Sequence, residues 1–182
     1  ASGQIKRVRV IGQGTAAVAG QSTAALLDEL CGGALDVDAI PATELSGFHL
    51  RLDMSDTLAI AVSQSGTTTD TNRTVDLLRA RGAAVIGIVN RRASDLVDKA
   101  NGILYTSDGR DVEMSVASTK AFYAQVAAGA LLACAISEAA KLGSDQRRHE
   151  LLVGLRSLPQ AMRTVLAKRL EIAEVAQRFA PP

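Results

Sequence analysis

A three-layer α/β/α sandwich around a five-stranded parallel sheet is the fold class that the sequence predicts, and three observations carry it. Short apolar runs rich in Val, Ile and Ala recur along the chain, as in strands buried on both faces. Each run stops in a turn of small residues and is followed by a stretch of helical periodicity. Aromatic residues make up 3% of the chain and Trp is absent, so the core must be built from aliphatic side chains packed between sheet and helices.

Arg7 to Ile11 reads as the first strand, and Gly12-Gln13-Gly14-Thr15 turns it into a helix from about Ala16 to Leu30. Gly32-Gly33 stops that helix. Leu35 to Ile40 alternates as a second strand, and Pro41 to Phe48 reads as a loop or a short helix. Thr57 to Val62 is the third strand, followed by a helix from Thr69 to Ala80 that Gly82 ends. Ala84 to Val89 is a fourth strand, Ser94 to Lys99 a short capped helix, and Gly102 to Tyr105 a fifth strand. The polar stretch from Thr106 to Ala117 reads as a functional loop. Ser118 then caps a long helix to about Leu142, ended by Gly143. Two amphipathic segments close the chain, Asp145 to Ser157 and Gln160 to Phe179, with Pro159 expected to separate them.

At 182 residues the chain suits one domain. A formal charge of +1 with mixed signs points to neither nucleic acid nor an anionic membrane, and the scarcity of aromatics removes a base-stacking platform. The longest apolar stretch, Ala121 to Ile136, contains Gln125 and is short and Ala-rich for a membrane span. Cys31 and Cys134 sit in apolar helical contexts and read as buried thiols, so a cytoplasmic, disulfide-free chain is expected. No signal peptide is recognisable, no Cys/His cluster suggests a metal, and no cofactor is expected. The start Ala-Ser-Gly, without Met, points to an excised segment or a tag remnant.

The most informative stretch is Ser63-Gln64-Ser65-Gly66-Thr67-Thr68-Thr69-Asp70-Thr71, where a buried strand ends in hydroxyl residues and feeds a helix. Unpaired N–H groups and the helix dipole favour an anion there, and the hydroxyls add donors without charge. Capping of the helix by Ser and Thr is the competing reading. The turn is neither a P-loop nor a dinucleotide turn, for it lacks Gly-Lys-Ser/Thr and Gly-x-Gly-x-x-Gly. Ligands in such sheets sit beyond the C-terminal strand ends, where strand order reverses. Three small polar turns converge there, Gly12 to Ala16, Ser63 to Thr71 and Glu113 to Lys120, and their agreement favours phosphate binding.

The third turn runs Glu113-Met114-Ser115-Val116-Ala117-Ser118-Thr119-Lys120-Ala121-Phe122. Together with the Ser-Gln-Ser-Gly turn it resembles the sugar isomerase (SIS) domain family, and more narrowly the first SIS half of the glucosamine-6-phosphate synthases, the glutamine–fructose-6-phosphate transaminases. Ala42-Thr43-Glu44-Leu45 is similar to the family's segment before the third strand, and the likeness covers nearly the whole chain. The resemblance implies a flavodoxin-like SIS domain that binds a hexose 6-phosphate, fructose 6-phosphate foremost. It implies Ser63, Gln64, Ser65 and Thr68 as phosphate contacts, with Gly66 allowing close backbone approach. Thr15 matches the Gly-Thr of the family's first turn, and Val116 and Ser118 match residues near the sugar. Two positions depart from the family: Ala16 stands where a Ser touches the ligand, and Thr67 where a Glu is common. Both leave room for another phosphosugar or for weaker binding.

Glu113 reads as a general base or, preferably, as a carboxylate that orients the loop; the family's matching Glu makes it the one catalytic candidate. Lys120 reads as a structural or phosphate-facing cation, since an activated Lys needs desolvation or a cationic neighbour. Arg91-Arg92, His49 and His149 read as solvated or packing residues. The resemblance also implies a glutaminase domain and a second SIS half, which is expected to begin after Pro182. The family's isomerising Glu, Lys and His belong with that half, so this chain alone is expected to bind without turning over. A homodimer or pairing with a second SIS half is expected. The alternatives are a sugar-phosphate sensor and a pure dimerisation module.

Overall fold

The structure is a computed structural model and describes residues 5–108 and 120–179. It divides into two units, Ala1–Asp145 and Gln146–Pro182.

The first unit holds the sheet. Its strands are β1 (Arg7–Gly12), β2 (Asp36–Pro41), β3 (Thr57–Ser63), β4 (Ala84–Val89) and β5 (Gly102–Tyr105). All pair in parallel, in the order β2-β1-β3-β4-β5. That is the flavodoxin-like order expected from the sequence. The helices are α1 (Thr15–Cys31), α2 (Ala42–Glu44, continued by a π-helical turn over Leu45–His49), α3 (Thr69–Ala80), α4 (Asp95–Lys99) and α5 (Lys120–Ala139). The segment from Pro41 to Phe48, left open between loop and helix, is therefore helical for most of its length.

Ala59, Ile60, Ala61 and Val62 of β3 are fully or almost fully buried, because β3 is the central strand. One face of the sheet, with Ile11, Ala59, Ala61, Val85 and Val89, joins Val75 and Leu78 of α3 and Leu96 of α4 in a single core cluster. On α5, Gly129 lies against Thr23 of α1, while Ser137 Oγ lies 3.5 Å from the Leu30 carbonyl. Residue numbers rise together along the contact, so α1 and α5 run parallel. By length and composition α5 is apolar enough to span a membrane. Part of that apolarity is core: Ala121, Ala128, Ala133 and Cys134 are buried, whereas Tyr123 and Leu131 are exposed. Both cysteines are free and buried, as expected. Burial, and then the nearby Asp28 carboxylate, push the Cys31 thiol pKa up.

Several element ends shift by one residue from the sequence reading, and two boundaries differ by more. α5 stops at Ala139 because Lys141 takes a left-handed conformation (φ 57°), and Ser137 Oγ holds the end by donating to the Leu142 carbonyl at 2.8 Å. In the second unit α6 (Asp145–Ala167) runs straight through Pro159, and the break to α7 (Arg169–Phe179) falls at Lys168. Proline removes one helical hydrogen bond, the one to the Leu155 carbonyl. The helix around Pro159 is largely exposed, so the freed carbonyl is not buried without a partner in the protein interior. Exposed apolar side chains, among them Met162, Val165, Leu166, Leu170, Ile172 and Val175, mark both helices.

At the N-terminal end of the sheet Arg9 grips Asp36 across β1 and β2: its guanidinium meets the carboxylate at 2.6 Å and the Asp36 carbonyl at 2.7 Å. Arg7 stands 3.5 Å from the same carboxylate. The Arg9 hydrogen bond, helped by the charges of Arg9 and Arg7 and opposed by slight burial, holds the Asp36 carboxyl below the usual carboxylate range. A depressed native pKa adds stability above the unfolded value of about 3.9 and loses it as pH falls through the native value. Asp36 is 57% exposed, so the pair is worth only about 0.5 kcal/mol. In urea titrations Asp36→Asn is therefore expected to lose about 0.5 kcal/mol at pH 7 and almost nothing below pH 3. An equal loss at both pH values would refute this origin.

Candidate phosphate-binding site

β3 delivers Ser63 to the C-terminal edge of the sheet, 3% exposed. The next five residues fold on their own hydroxyls. Ser63 Oγ accepts the Gly66 N–H at 3.0 Å and lies 3.4 Å from Thr68 Oγ1. Ser65 Oγ accepts the Thr67 N–H at 3.2 Å and the Thr67 hydroxyl at 3.0 Å. Gly66 has φ +67°, and a Cβ there would overlap Ser94 Oγ. Gly66 is thus demanded twice, by the backbone and by the approach of α4.

The carbonyls of this turn are tied down from behind. The Gln64 carbonyl accepts the N–H groups of Asn90 (3.2 Å) and Arg91 (3.3 Å). The Gly66 carbonyl accepts Leu96 N–H (3.1 Å) and Asn72 Nδ2 (2.9 Å), and Thr68 accepts Asn72 N–H (3.0 Å) and Nδ2 (3.1 Å). No peptide among the described residues is cis. In a trans peptide the C=O of one residue and the N–H of the next point opposite ways. Anchoring the carbonyls of Gln64, Gly66 and Thr68 therefore sets the N–H groups that follow them: those of Ser65 and Thr69 are aimed the other way, and that of Thr67 is spent on Ser65 Oγ. Thr68, at the N-cap of α3, makes no side-chain capping bond; its hydroxyl turns to Ser63 instead. The Ser63 and Ser65 hydroxyls close the turn by accepting its N–H groups, while Thr68 makes no side-chain cap to α3. No Lys or Arg lies between Ser63 and Thr71, so an anion here would be held by hydroxyls, peptide N–H groups and the helix dipole.

β1 and β3 are neighbours, with Ile11 opposite Ala61. The turn after β1 consequently stands beside the Ser63 turn, where strand order reverses. Gly12 sits so close to β3 and α1 that a Cβ would come within 3.0 Å of the Val62 carbonyl and of the Ala16 and Ala17 backbone. Thr15 opens α1 and is half-buried; Gln13 Nε2 donates to Thr43 Oγ1 at 3.1 Å and ties this turn to α2. Thr15, Ser63, Gln64, Ser65, Gly66 and Thr68 are thus gathered at one edge. Glu113, Val116 and Ser118 lie outside the described residues.

Beyond β4, Asn90 Oδ1 accepts the hydroxyls of Ser107 and of Thr106 (3.4 Å), fastening the start of the polar loop. The Arg92 guanidinium lies 4.5 Å over the Tyr105 ring and donates to the Asp108 carbonyl at 3.2 Å, joining the ends of β4 and β5. Sequence reasoning missed Asn72, Asn90 and Ser94. For Asn72 a signal existed: it is a polar residue on the buried stripe of α3, with Thr71, Val75 and Leu78. Among the described residues no three His, Cys, Asp or Glu side chains group to hold a metal.

Comparison with known proteins agrees with this geometry. The SIS domain family profile matches residues 4–135. An isomerizing glutamine–fructose-6-phosphate aminotransferase of Thermus thermophilus is 35% identical over 97% of this chain, and one of Arabidopsis thaliana 34% identical over 94%. The chain spans 28% and 24% of those two proteins. Among solved structures, the C-terminal domain of the Francisella tularensis glucosamine-fructose-6-phosphate aminotransferase superposes with a TM-score of 0.81 at 24% identity. That match covers 97% of this chain and 49% of the other. Fold, turn and sequence lead to one conclusion: the chain belongs to the SIS domain family and is related to the isomerizing glutamine–fructose-6-phosphate aminotransferases.

Proposed function

We propose that this chain binds a hexose 6-phosphate, fructose 6-phosphate foremost, as one SIS half of a ketose–aldose isomerase or transaminase of amino-sugar synthesis. The observation that carries the reading is the back-anchored turn: carbonyls held from behind aim the N–H groups of Ser65 and Thr69 away from their anchors, beside the hydroxyls of Ser63, Ser65 and Thr68, while the Thr67 N–H closes the turn on Ser65 Oγ. Ser63, Gln64, Ser65 and Thr68 hold the phosphate, Gly66 lets the backbone approach, and Thr15 stands at the neighbouring turn. Val116 and Ser118 are assigned to the sugar, and Glu113 to loop orientation or proton transfer, on the resemblance alone. Phosphate clamped at one end places the sugar carbons for chemistry at the other, so remote binding energy is spent on position.

Turnover requires groups from a second SIS half or a partner subunit. The exposed apolar side chains of α6 and α7 supply surface for such pairing.

Thermal unfolding tests the reading. Fructose 6-phosphate at a hundredfold excess over its Kd stabilises by about 2.7 kcal/mol, which raises Tm by about 5–10 °C for a chain of this size. Unphosphorylated fructose is expected to give no shift, and Ser65→Ala to abolish the shift from the 6-phosphate. Absence of any shift with fructose or glucose 6-phosphate would defeat the proposal and leave the dimerisation reading ahead.

A further inference from the structure

We propose that Asn72 is a positioning residue for the phosphate turn: it touches no ligand, but its amide fixes the direction in which the turn's peptides point. The inference rests on the phosphosugar reading and deepens it.

Asn72 lies on α3, 5% exposed. Its Nδ2 bridges the Gly66 carbonyl at 2.9 Å and the Thr68 carbonyl at 3.1 Å. These carbonyls flank Thr67, so one side chain sets both peptide planes: the first keeps the Thr67 N–H on Ser65 Oγ and so closes the turn, and the second aims the Thr69 N–H. The orientation of the amide is forced, since a flipped Oδ1 would face two carbonyl oxygens. Meanwhile Oδ1 is buried and has no hydrogen-bond partner among the described residues. An orphaned buried acceptor is costly, and an apolar residue would fill the stripe beside Val75 and Leu78 without that cost. Packing therefore does not explain Asn at this position; the two donated hydrogen bonds do. Replacing the donor leaves Gly66 with the Leu96 N–H alone and Thr68 with the Asn72 N–H alone. The peptides are then freer to rotate, and a carbonyl turned outward repels phosphate.

Calorimetric titration with fructose 6-phosphate and with inorganic phosphate tests this on the unmodified chain, Asn72→Leu, Asn72→Ser and Val75→Ala, at a temperature where each is folded. Leu keeps the branched outline of Asn without its donors, though its two methyl groups are bulkier. Ser in a helix donates back to the carbonyl four residues earlier, so Asn72→Ser keeps the Thr68 bond and loses the Gly66 bond. Val75→Ala loosens the same helix away from the turn. Asn72→Leu is expected to weaken both ligands about tenfold, Asn72→Ser to fall between, and Val75→Ala to stay within about twofold of the unmodified chain. If Asn72→Leu fails to fold, the ranking of Asn72→Ser against Val75→Ala decides by itself. Equal affinity of the Asn72 variants and the unmodified chain overturns the inference and leaves the phosphosugar reading standing. Loss of the 6-phosphate alone, with inorganic phosphate unaffected, also overturns it, because the turn would then be intact. An unmodified chain that binds neither ligand fails at the earlier step and removes both.

Discussion

Gly66→Ala is expected to destabilise the chain by about 3 kcal/mol and to abolish its response to phosphosugar. Two costs add. At φ +67° any residue with a Cβ is strained by roughly 1–2 kcal/mol. The new methyl would also overlap Ser94 Oγ, 2.8 Å from Ser94 Cβ and 2.9 Å from Val89 Cγ2, and overpacking adds roughly 1–3 kcal/mol. Relief through movement of the turn breaks the Gly66 carbonyl bonds to Leu96 N–H and Asn72 Nδ2. Stability and site are therefore lost together, which separates this substitution from a core truncation that costs stability alone. Urea unfolding measures the first effect and ligand-dependent Tm the second. Combining Gly66→Ala with Ser94→Gly removes the nearer overlap and is expected to recover part of the stability, but not the backbone strain. Should Gly66→Ala cost less than about 1 kcal/mol, the packing of α4 under the turn is looser than described.

The same turn shows where the sequence is legible. Runs such as Ala84–Val89 and Thr69–Ala80 carry their period and punctuation in consecutive residues, and both elements have the bounds read from them. Strand order is not local in this way: that the sheet is parallel follows from the helical segments between strands, and its flavodoxin-like order was implied by the family resemblance. The hydroxyls of Ser63, Ser65 and Thr68 are equally local, so their gathering at one edge was readable. What holds them there was not. Leu96 N–H, Asn90 N–H and Arg91 N–H reach the turn from residues far along the chain, and no local pattern marks a backbone donor. For Asn72 the signal was present but weak: it is a polar residue on the buried stripe of α3, and Thr71 and Thr74 beside it are buried polar residues too. Pro159 misled because a proline inside a helix removes one hydrogen bond and crowds the carbonyl four residues earlier but need not end the helix; on the exposed α6 the helix continues past it.

Gly129→Leu is expected to cost roughly 3 kcal/mol or more, and the argument turns on which of two effects wins. In an exposed helix, replacing Gly improves propensity by roughly 0.8–1.0 kcal/mol. Here Gly129 is buried against α1. A Cβ at this position would overlap Thr23 Oγ1 and sit 3.1 Å from Thr23 Cβ and 3.3 Å from Cγ2. Rotating Thr23 only brings its methyl into the same space, and its hydroxyl is committed to the Ala19 carbonyl at 3.2 Å. The helices must therefore separate along their shared length, exposing Leu27 and Ala133, which are fully buried. Overpacking then exceeds the propensity gain, so even Gly129→Ala is expected to destabilise, by about 1 kcal/mol net. The double variant Thr23→Ala, Gly129→Ala removes the obstructing branch and is expected to recover most of that loss, giving a coupling of about 1 kcal/mol in a double-mutant cycle. Stabilisation by Gly129→Ala alone would mean that propensity prevails and that α1 and α5 are not held at glycine distance. Because α1 begins at Thr15, the spacing of this helix pair also fixes how the first turn stands beside the second. Gly129→Leu is for this reason expected to weaken phosphosugar binding from a position remote from the Ser63 turn, a loss that Gly129→Ala combined with Thr23→Ala does not share.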